Sequence, residues 1–248
     1  YDRMVPFGRA LSQIRRRVRV DLRQGSLSKA KVVAAVILLL EKTLIRVGNA
    51  EYVRANRSFG LTTLRDGHVR IRGADLRFAF TGKSGIKQSV VLSDARLARI
   101  VKRCQDLPGQ SLFQYLDATG RRRLVTSSDV NAYLREVAGA DFTAKDFRTW
   151  AGTLQAAIAV RRAGPMRASP QTVTRVVEIV AGHLGNTPAV CRACYIHPAI
   201  LAGLADGTLS RRLSSRRRAR RGLSADESAV LALLDNGRGC VHRLAEAA

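Results

Sequence analysis

The sequence predicts a mainly α-helical protein with a small antiparallel β-sheet, an α+β fold. Hydrophobic residues make up 46% of the 248 positions, which is typical of a folded chain with a core. Apolar residues recur at helical spacing over most of the chain. Only residues 68–92 alternate with the period of two that is typical of strands. We therefore expect one sheet set among helices.

Two helices are predicted before residue 50. Apolar residues recur every three or four positions over 11–22, with arginines between them, which indicates an amphipathic helix with a basic outer face. A long buried helix is expected from Ser28, as its cap, through Leu44, and Gly48 would end it. Arg46 falls in the last turn of this predicted helix.

The predicted sheet has about three strands within residues 68–92. Asp66-Gly67 and the glycines between positions 73 and 85 supply the turns. Lys83, in the sequence Gly-Lys-Ser-Gly, is expected at or beside a hairpin tip. Helical spacing then resumes, and a helix capped by Thr143 places Arg148 in its early turns.

A short helix is predicted near residue 190. Thr187 suits an N-cap and Pro188 suits the first helical position, where its missing N–H would lack a partner anyway. The helix should run through Tyr195 and end near Pro198, with Asn186 in the preceding turn. Taken alone, such a tyrosine is more often a packing residue than a functional one.

The chain is divided into a main domain and a C-terminal extension. We expect the domain to cover residues 1–209, with a basic linker over 210–223 and a last helix over 224–248. The linker is predicted from the arginine-rich run that begins at Ser210. A capping box from Ser224 to Glu227 predicts the start of the last helix.

Charge indicates the class of partner. The chain carries 43 Lys and Arg against 19 Asp and Glu, a net charge of +24, so a polyanion is expected. No apolar run reaches the roughly 20 residues that span a bilayer, which favours nucleic acid over a membrane. Aromatic residues make up only 5% of the chain, which favours duplex over stacking on single strands.

The cysteines are predicted to be reduced thiols, because no secretory signal accompanies them. Cys191, Cys194 and His197 have a spacing that also occurs in zinc sites, but all three lie on one short segment without an obvious fourth ligand. Helix packing is the favoured interpretation, and no metal is expected.

Five residues stand out in distinct local contexts: Arg46, Lys83, Arg148, Asn186 and Tyr195. Their order and flanks resemble the catalytic core of type IB DNA topoisomerases, in particular the bacterial and poxvirus-like branch. The phrase TAKDFRTW and the nine-residue step from Asn186 to Tyr195 are the most specific parts. Related tyrosine recombinases share the order and the fold.

The resemblance implies a reaction without ATP, metal or other cofactor. A tyrosine attacks a phosphodiester of duplex DNA and forms a 3′-phosphotyrosyl bond, the broken strand swivels, and the 5′-hydroxyl attacks back. Arg46 and Arg148 would hold the phosphate oxygens, and Asn186 would donate an amide N–H to them. Lys83 can give the leaving oxygen a proton, which an arginine effectively cannot. Tyr195 is the implied nucleophile.

Further DNA contacts are expected outside the five residues. Lys145, where relatives carry a basic residue or a histidine, is a candidate for phosphate contact or proton transfer. Arg15, Arg16 and Arg19 on the first helix are expected to touch backbone phosphates without reading sequence.

The family also implies an assembly. Relatives carry an N-terminal domain that closes over the duplex, and we expect this chain to be a monomer that acts as half of such a clamp, without that domain. A cytoplasmic, nucleoid-associated location is expected. Two alternatives stay open: a site-specific tyrosine recombinase, and a basic DNA-binding protein without catalysis.

Overall fold

In the computed structural model, residues 1–163, 169–214 and 219–245 are described. Contacts between residues divide the chain into two compact units. The prediction from the sequence was a single domain over residues 1–209. We call Ile14–Lys145 the middle unit, and Tyr1–Gln13 together with Asp146–Ala248 the terminal unit.

Helices dominate both units, as the sequence predicts. The α-helices of the described residues are α1 (Met4–Asp21), α2 (Lys29–Thr43), α3 (Ala50–Asn56), α4 (Ala95–Gln105), α5 (Ser127–Ala138), α6 (Ala144–Ala163), α7 (Pro170–Leu184), α8 (Pro188–Cys194), α9 (Pro198–Ala205), α10 (Thr208–Ser214) and α11 (Ala225–Ala245). The strands of the described residues are β1 (Val69–Arg72), β2 (Asp75–Thr81), β3 (Lys87–Ser93), β4 (Gln114–Leu116) and β5 (Arg122–Leu124).

Helix α2 is the centre of the middle unit. It packs against α4, α5, β3 and β4, and nearly all of its side chains from Lys31 to Leu40 are buried. Ser28 caps its start, as predicted, by accepting a hydrogen bond from the Lys31 N–H. Its end was predicted too late. Leu44 takes a left-handed conformation with φ of 57°, and its N–H closes the helix on the Leu40 carbonyl. Arg46 therefore lies in the following loop, not in the last turn.

The predicted sheet is present with strand order β1-β2-β3, and all its strands are antiparallel. Leu76, Phe78 and Phe80 alternate into the core, as the period of two requires. Strands β4 and β5 form a second, two-stranded antiparallel sheet that the sequence did not predict. Each of these strands has three residues and almost no buried side chain, so no alternation marks them.

The terminal unit is built around α6. Phe7 of α1 lies edge-on to Phe147, with ring centroids 5.0 Å apart, and a Cβ at Gly8 would clash with the Trp150 ring. Helices α8 and α9 pack against α7, and α10 packs against α9 and α11.

The predicted linker over 210–223 begins as a helix instead. Residues 210–214 belong to α10, where Leu209 and Leu213 are buried, so the spacing of these two leucines outweighs the arginines around them. Residues 215–218 of the predicted linker, and 246–248 of the predicted last helix, lie outside the described residues. Helix α11 starts at the predicted capping box, in which Ser224 and Glu227 exchange side-chain to backbone hydrogen bonds.

Candidate active site

Tyr195 lies directly after α8, one residue beyond the helix that the sequence predicts to contain it. Thr187 caps α8 by accepting a hydrogen bond from the Val190 N–H, and Pro188 occupies the first turn, as predicted. Tyr195 has φ of −125°, and its N–H still bonds to the Cys191 carbonyl. Tyr195 as a residue is partly exposed.

Arg148 lies against the tyrosine. Its guanidinium carbon is 5.2 Å from the centroid of the Tyr195 ring, a cation–π contact. Only 3% of Arg148 is exposed, and one guanidinium N–H donates to the Leu184 carbonyl at 2.8 Å. That carbonyl belongs to the last turn of α7, where helical carbonyls lack partners within the helix and the macrodipole favours a cation. A buried, permanent charge is thus held beside the phenol.

The backbone at Tyr195 is docked on α6 through two small residues. A Cβ at Gly152 would approach the Tyr195 carbonyl oxygen far more closely than real Cβ atoms do, so only glycine permits this contact. The buried Thr153 hydroxyl donates to the Thr149 carbonyl and accepts from the His197 N–H at 3.1 Å. Gly152 follows Arg148 by four positions, which puts both on one face of α6. The helix that carries the arginine therefore also fixes the tyrosine. No local sequence signal marks Gly152 or Thr153, so neither is among the predicted site residues.

Asn186 stands in the turn between α7 and α8, as predicted. Gly185 ends α7 in the left-handed conformation with φ of 58°, and the Asn186 N–H bonds to the Ala181 carbonyl at 3.0 Å, which completes a Schellman motif. Asn186 is half-buried and lies two residues from the carbonyl that receives Arg148. Arg148, Asn186 and Tyr195 are thus tied to the same junction of α6, α7 and α8.

Arg46, in the middle unit, lies in a loop that packs on a second loop. The Arg46 carbonyl accepts a hydrogen bond from the Leu61 N–H at 2.8 Å, and a Cβ at Gly60 would lie 2.5 Å from the same oxygen. The side chain is half-buried. The close approach at Gly60 fixes the backbone from which the guanidinium extends.

Lys83 is exposed in the turn between β2 and β3, at the hairpin tip that the sequence predicts. Its ammonium lies 5.5 Å from the ring centroid of Tyr52 on α3, a residue that the sequence analysis did not single out. The Phe59 N–H bonds to the Thr81 carbonyl at 2.8 Å, two residues before Lys83. Residues 59–61 therefore hold both the loop of Arg46 and the strand that leads to Lys83.

The predicted auxiliary DNA contacts differ in exposure. Arg16 and Arg19 are exposed on α1. Arg15 is half-buried and pairs with Glu41 at 2.6 Å. Lys145 is exposed in the first turn of α6.

No cluster of metal-binding side chains among the described residues supports a zinc site. Across the described residues, no group of three or more His, Cys, Asp or Glu side chains could hold a metal ion. Cys191 is buried and Cys194 exposed, and the His197 Nδ1 accepts a hydrogen bond from the Ala199 N–H at the start of α9. The histidine has a capping role.

Within the described residues, no single helix is long and apolar enough to cross a membrane. Helices α8 and α9 meet those criteria only when taken as a pair, and the chain bends by 110° between them.

The chain matches a protein-family model over most of its length. The family is described as the catalytic core of eukaryotic DNA topoisomerase I, and the match covers residues 1–213. The chain belongs to this family. Membership confirms the resemblance to type IB topoisomerases and the catalytic-core fold that it implies.

The proteins that are similar to this chain include viral topoisomerases. The DNA topoisomerase 1B of Acanthamoeba polyphaga mimivirus is 27% identical over 206 residues, which cover 79% of this chain and 61% of the viral protein. The DNA topoisomerase I of Monkeypox virus is 22% identical over 176 residues, which cover 69% and 54%. The DNA topoisomerase 1B of Vaccinia virus strain Copenhagen matches to the same extent. The chain thus spans about half to three-fifths of these relatives, and its bacterial placement stays a prediction.

A solved structure of the XerH site-specific recombinase, bound to its difH substrate before cleavage, aligns with this topoisomerase-family chain at a TM-score of 0.44. The identity is 11%, and the alignment covers 75% of this chain and 49% of the recombinase. A structural similarity this low does not support any conclusion about function.

Proposed function

We propose that this chain is the catalytic part of a type IB topoisomerase that relaxes supercoiled duplex DNA by transient cleavage of one strand. The contact between the Arg148 guanidinium and the Tyr195 ring carries the proposal. It sets a permanent cation beside the ring of a partly exposed tyrosine, where a fixed positive charge favours both the phenolate and the charge of an attacked phosphate. Membership in the topoisomerase family and the net charge of +24 support it.

The proposed reaction exchanges one phosphodiester for another. The Tyr195 oxygen attacks phosphorus and loses its proton to solvent, while the bond from phosphorus to the 5′ oxygen breaks. The products are a 3′-phosphotyrosyl ester and a free 5′-hydroxyl. After the strand has swivelled, the 5′-hydroxyl attacks the ester and restores the original bond. Each step replaces one phosphate ester bond by another, so the reaction needs no ATP.

The cations would act on the charge of the phosphate. Phosphoryl transfer depends mainly on positioning and on stabilising the non-bridging oxygens. The buried Arg148 is suited to this, because its planar fork can bind two oxygens and is already oriented by the Leu184 carbonyl. We assign the same role to Arg46, and an amide donor role to Asn186. Neither an arginine nor an asparagine transfers protons, so none of the three acts as the acid.

Lys83 is the proposed acid for the leaving 5′ oxygen. Only 7 of the 43 cationic residues are lysines, and this one stands exposed at a hairpin tip above the Tyr52 ring. Replacing Lys83 by arginine keeps the charge but removes a donor that can give up its proton, so single-turnover cleavage should slow by about 10²-fold or more. Lys87→Arg, at the start of β3 in the same hairpin, is the matched control and should cleave normally. Equal rates in the two variants would remove Lys83 from the mechanism.

The decisive test incubates supercoiled plasmid with the protein in the absence of ATP and Mg²⁺. Stepwise topoisomers are expected from the native protein, together with a protein–DNA adduct that survives denaturing electrophoresis. Tyr195→Phe should abolish both, whereas Tyr115→Phe should abolish neither. Defined recombinant products would identify a recombinase instead, and native protein that binds DNA without forming an adduct would identify a DNA-binding protein without catalysis.

We also propose that the chain acts on duplex DNA as a monomer. It would form half of a clamp, and a further domain would supply the other half. The proposed location is the cytoplasm, on nucleoid DNA. The greater length of the viral relatives supports the further domain. Light scattering of the protein bound to a short duplex tests the stoichiometry, and a dimer at all protein concentrations would refute it.

A further inference from the structure

Five of the seven residues that line a cavity of about 330 Å³ in the middle unit are cationic. Leu22 and Ile100 form its apolar part. Its remaining lining residues all carry positive charge: Arg23, Lys31, Arg96, Arg99 and Arg103. No carboxylate of the described chain is among the lining residues. Neither Arg46 nor Lys83 lines it, so the cavity is separate from the residues assigned to catalysis in this unit.

Helix α4 explains how the arginines come together. Arg96, Arg99 and Arg103 stand at positions i, i+3 and i+7, which places them on one face of the helix, opposite the buried Leu97 and Val101. The ion pairs found among the described residues include none of these three arginines and not Arg23 either. Instead, Arg103 donates to the Gly25 carbonyl at 2.9 Å and Arg99 to the Ala95 carbonyl at 3.3 Å. Four exposed arginines that have no acidic partner among the described ion pairs therefore line one cavity.

Lys31 adds a buried charge to the same cavity. Only 7% of this residue is exposed, and its ammonium donates to the Gln24 carbonyl. Burial lowers its pKa, and the nearby Arg103 and Arg99 lower it further. An ammonium in such surroundings is stabilised when an anion enters beside it.

We propose that this cavity is a binding site for a compact, multivalent phosphate. Guanidinium forks match pairs of phosphate oxygens, and several cations that face one space favour an anion of high charge. The volume lies at the lower end of the range for ligand pockets, which suits an oligophosphate better than a ligand with a large organic part.

The adjoining cavity supports the choice of the smaller one. It has a volume of about 550 Å³ and shares Leu22, Arg96 and Arg99 with it. Its lining also includes Glu41 and Asp94, which pair with Arg15 and Lys42. Its charges are therefore partly neutralised, and the anion is expected in the smaller cavity.

Titration calorimetry with inorganic tripolyphosphate at physiological salt tests the site. Native protein is expected to bind, and Lys31→Met and Arg103→Gln should each weaken the affinity by about tenfold or more, the value of one charge-assisted hydrogen bond. Arg135→Gln, which removes the same charge from an exposed position that lines neither cavity, should change it less than about twofold. Arg103 is exposed, so Arg103→Gln should fold normally. It therefore still tests the site if Lys31→Met does not fold. Absence of binding, or equal affinities in native protein, Arg103→Gln and Arg135→Gln, would overturn the proposal.

A second titration identifies the source of the phosphate. If a short duplex displaces tripolyphosphate and Arg103→Gln lowers the salt slope of duplex binding by about one, the site takes phosphates of the nucleic-acid backbone. If the two ligands bind independently, it takes free oligophosphates. Both outcomes keep the phosphate site. Neither measurement uses DNA cleavage, so the site and the proposed topoisomerase activity can fail separately.

Discussion

Replacing Gly152 by alanine tests whether α6 positions the nucleophile. The new Cβ would overlap the Tyr195 carbonyl oxygen, which would have to move by about 1 Å to reach the ordinary contact distance of 3.4 Å. A misplacement of about 1 Å in a reacting group can cost about 10²-fold in rate. We therefore expect single-turnover formation of the covalent DNA adduct to slow by about that factor, although no charged group has been changed.

Gly182→Ala is the matched control for this variant. Gly182 lies in α7 of the same unit, and nothing stands within 4 Å of where its Cβ would be. This substitution should leave adduct formation unchanged and stabilise the protein by about 0.5–1 kcal/mol through helix propensity. In Gly152→Ala, overpacking of about 1–3 kcal/mol offsets that gain.

Binding separates positioning from a general loss of structure. Duplex affinity and its dependence on salt should be the same in native protein, Gly152→Ala and Gly182→Ala, because all three carry the same charges. Native rates of adduct formation in folded Gly152→Ala would refute the reasoning. So would an equal loss of rate in the control.

Three further predictions concern individual side chains of both units. Arg148→Lys should slow cleavage by about 10²–10³-fold while duplex affinity stays near native, because the charge remains but the two-oxygen fork is lost; a native cleavage rate would contradict this. Thr153→Val should lower the free energy of unfolding in urea by about 1–3 kcal/mol, since a backbone N–H loses its acceptor, and Thr153→Ser should restore it. In a Cys240→Ser background at pH 8, iodoacetamide should alkylate the exposed Cys194 and spare Cys104, since burial raises the pKa of the Cys104 thiol to about 12; peptide mass spectrometry that finds equal labelling would refute this burial.

Where one local rule acts alone, sequence and structure agree. The pair Thr187-Pro188 starts α8 because capping and a fixed φ depend only on those residues. The Gly-Lys-Ser-Gly turn places Lys83 at the hairpin tip, and the capping box at Ser224 starts α11, for the same reason.

Predictions fail where two distant segments decide the outcome. Helix α2 stops at Thr43 instead of carrying Arg46 in its last turn. The chain after it bonds to Leu61 and packs against Gly60. The arginines after Ser210 suggest a linker, yet the buried leucines of α10 show that packing outweighs local charge.

The order of the five candidate residues, their residue types and the basic character of the chain are properties of the sequence by itself. Their order and flanks resemble the type IB topoisomerase core, so the tyrosine, the hairpin lysine and the two arginines could be named without knowledge of any contact. Only the tertiary structure decided that Arg148 is buried beneath the Tyr195 ring and that Gly152 admits the tyrosine carbonyl to the same helix face. The physical reason is that close packing joins residues more than forty positions apart, and no periodicity along the chain encodes which distant group will fill the space that a glycine leaves.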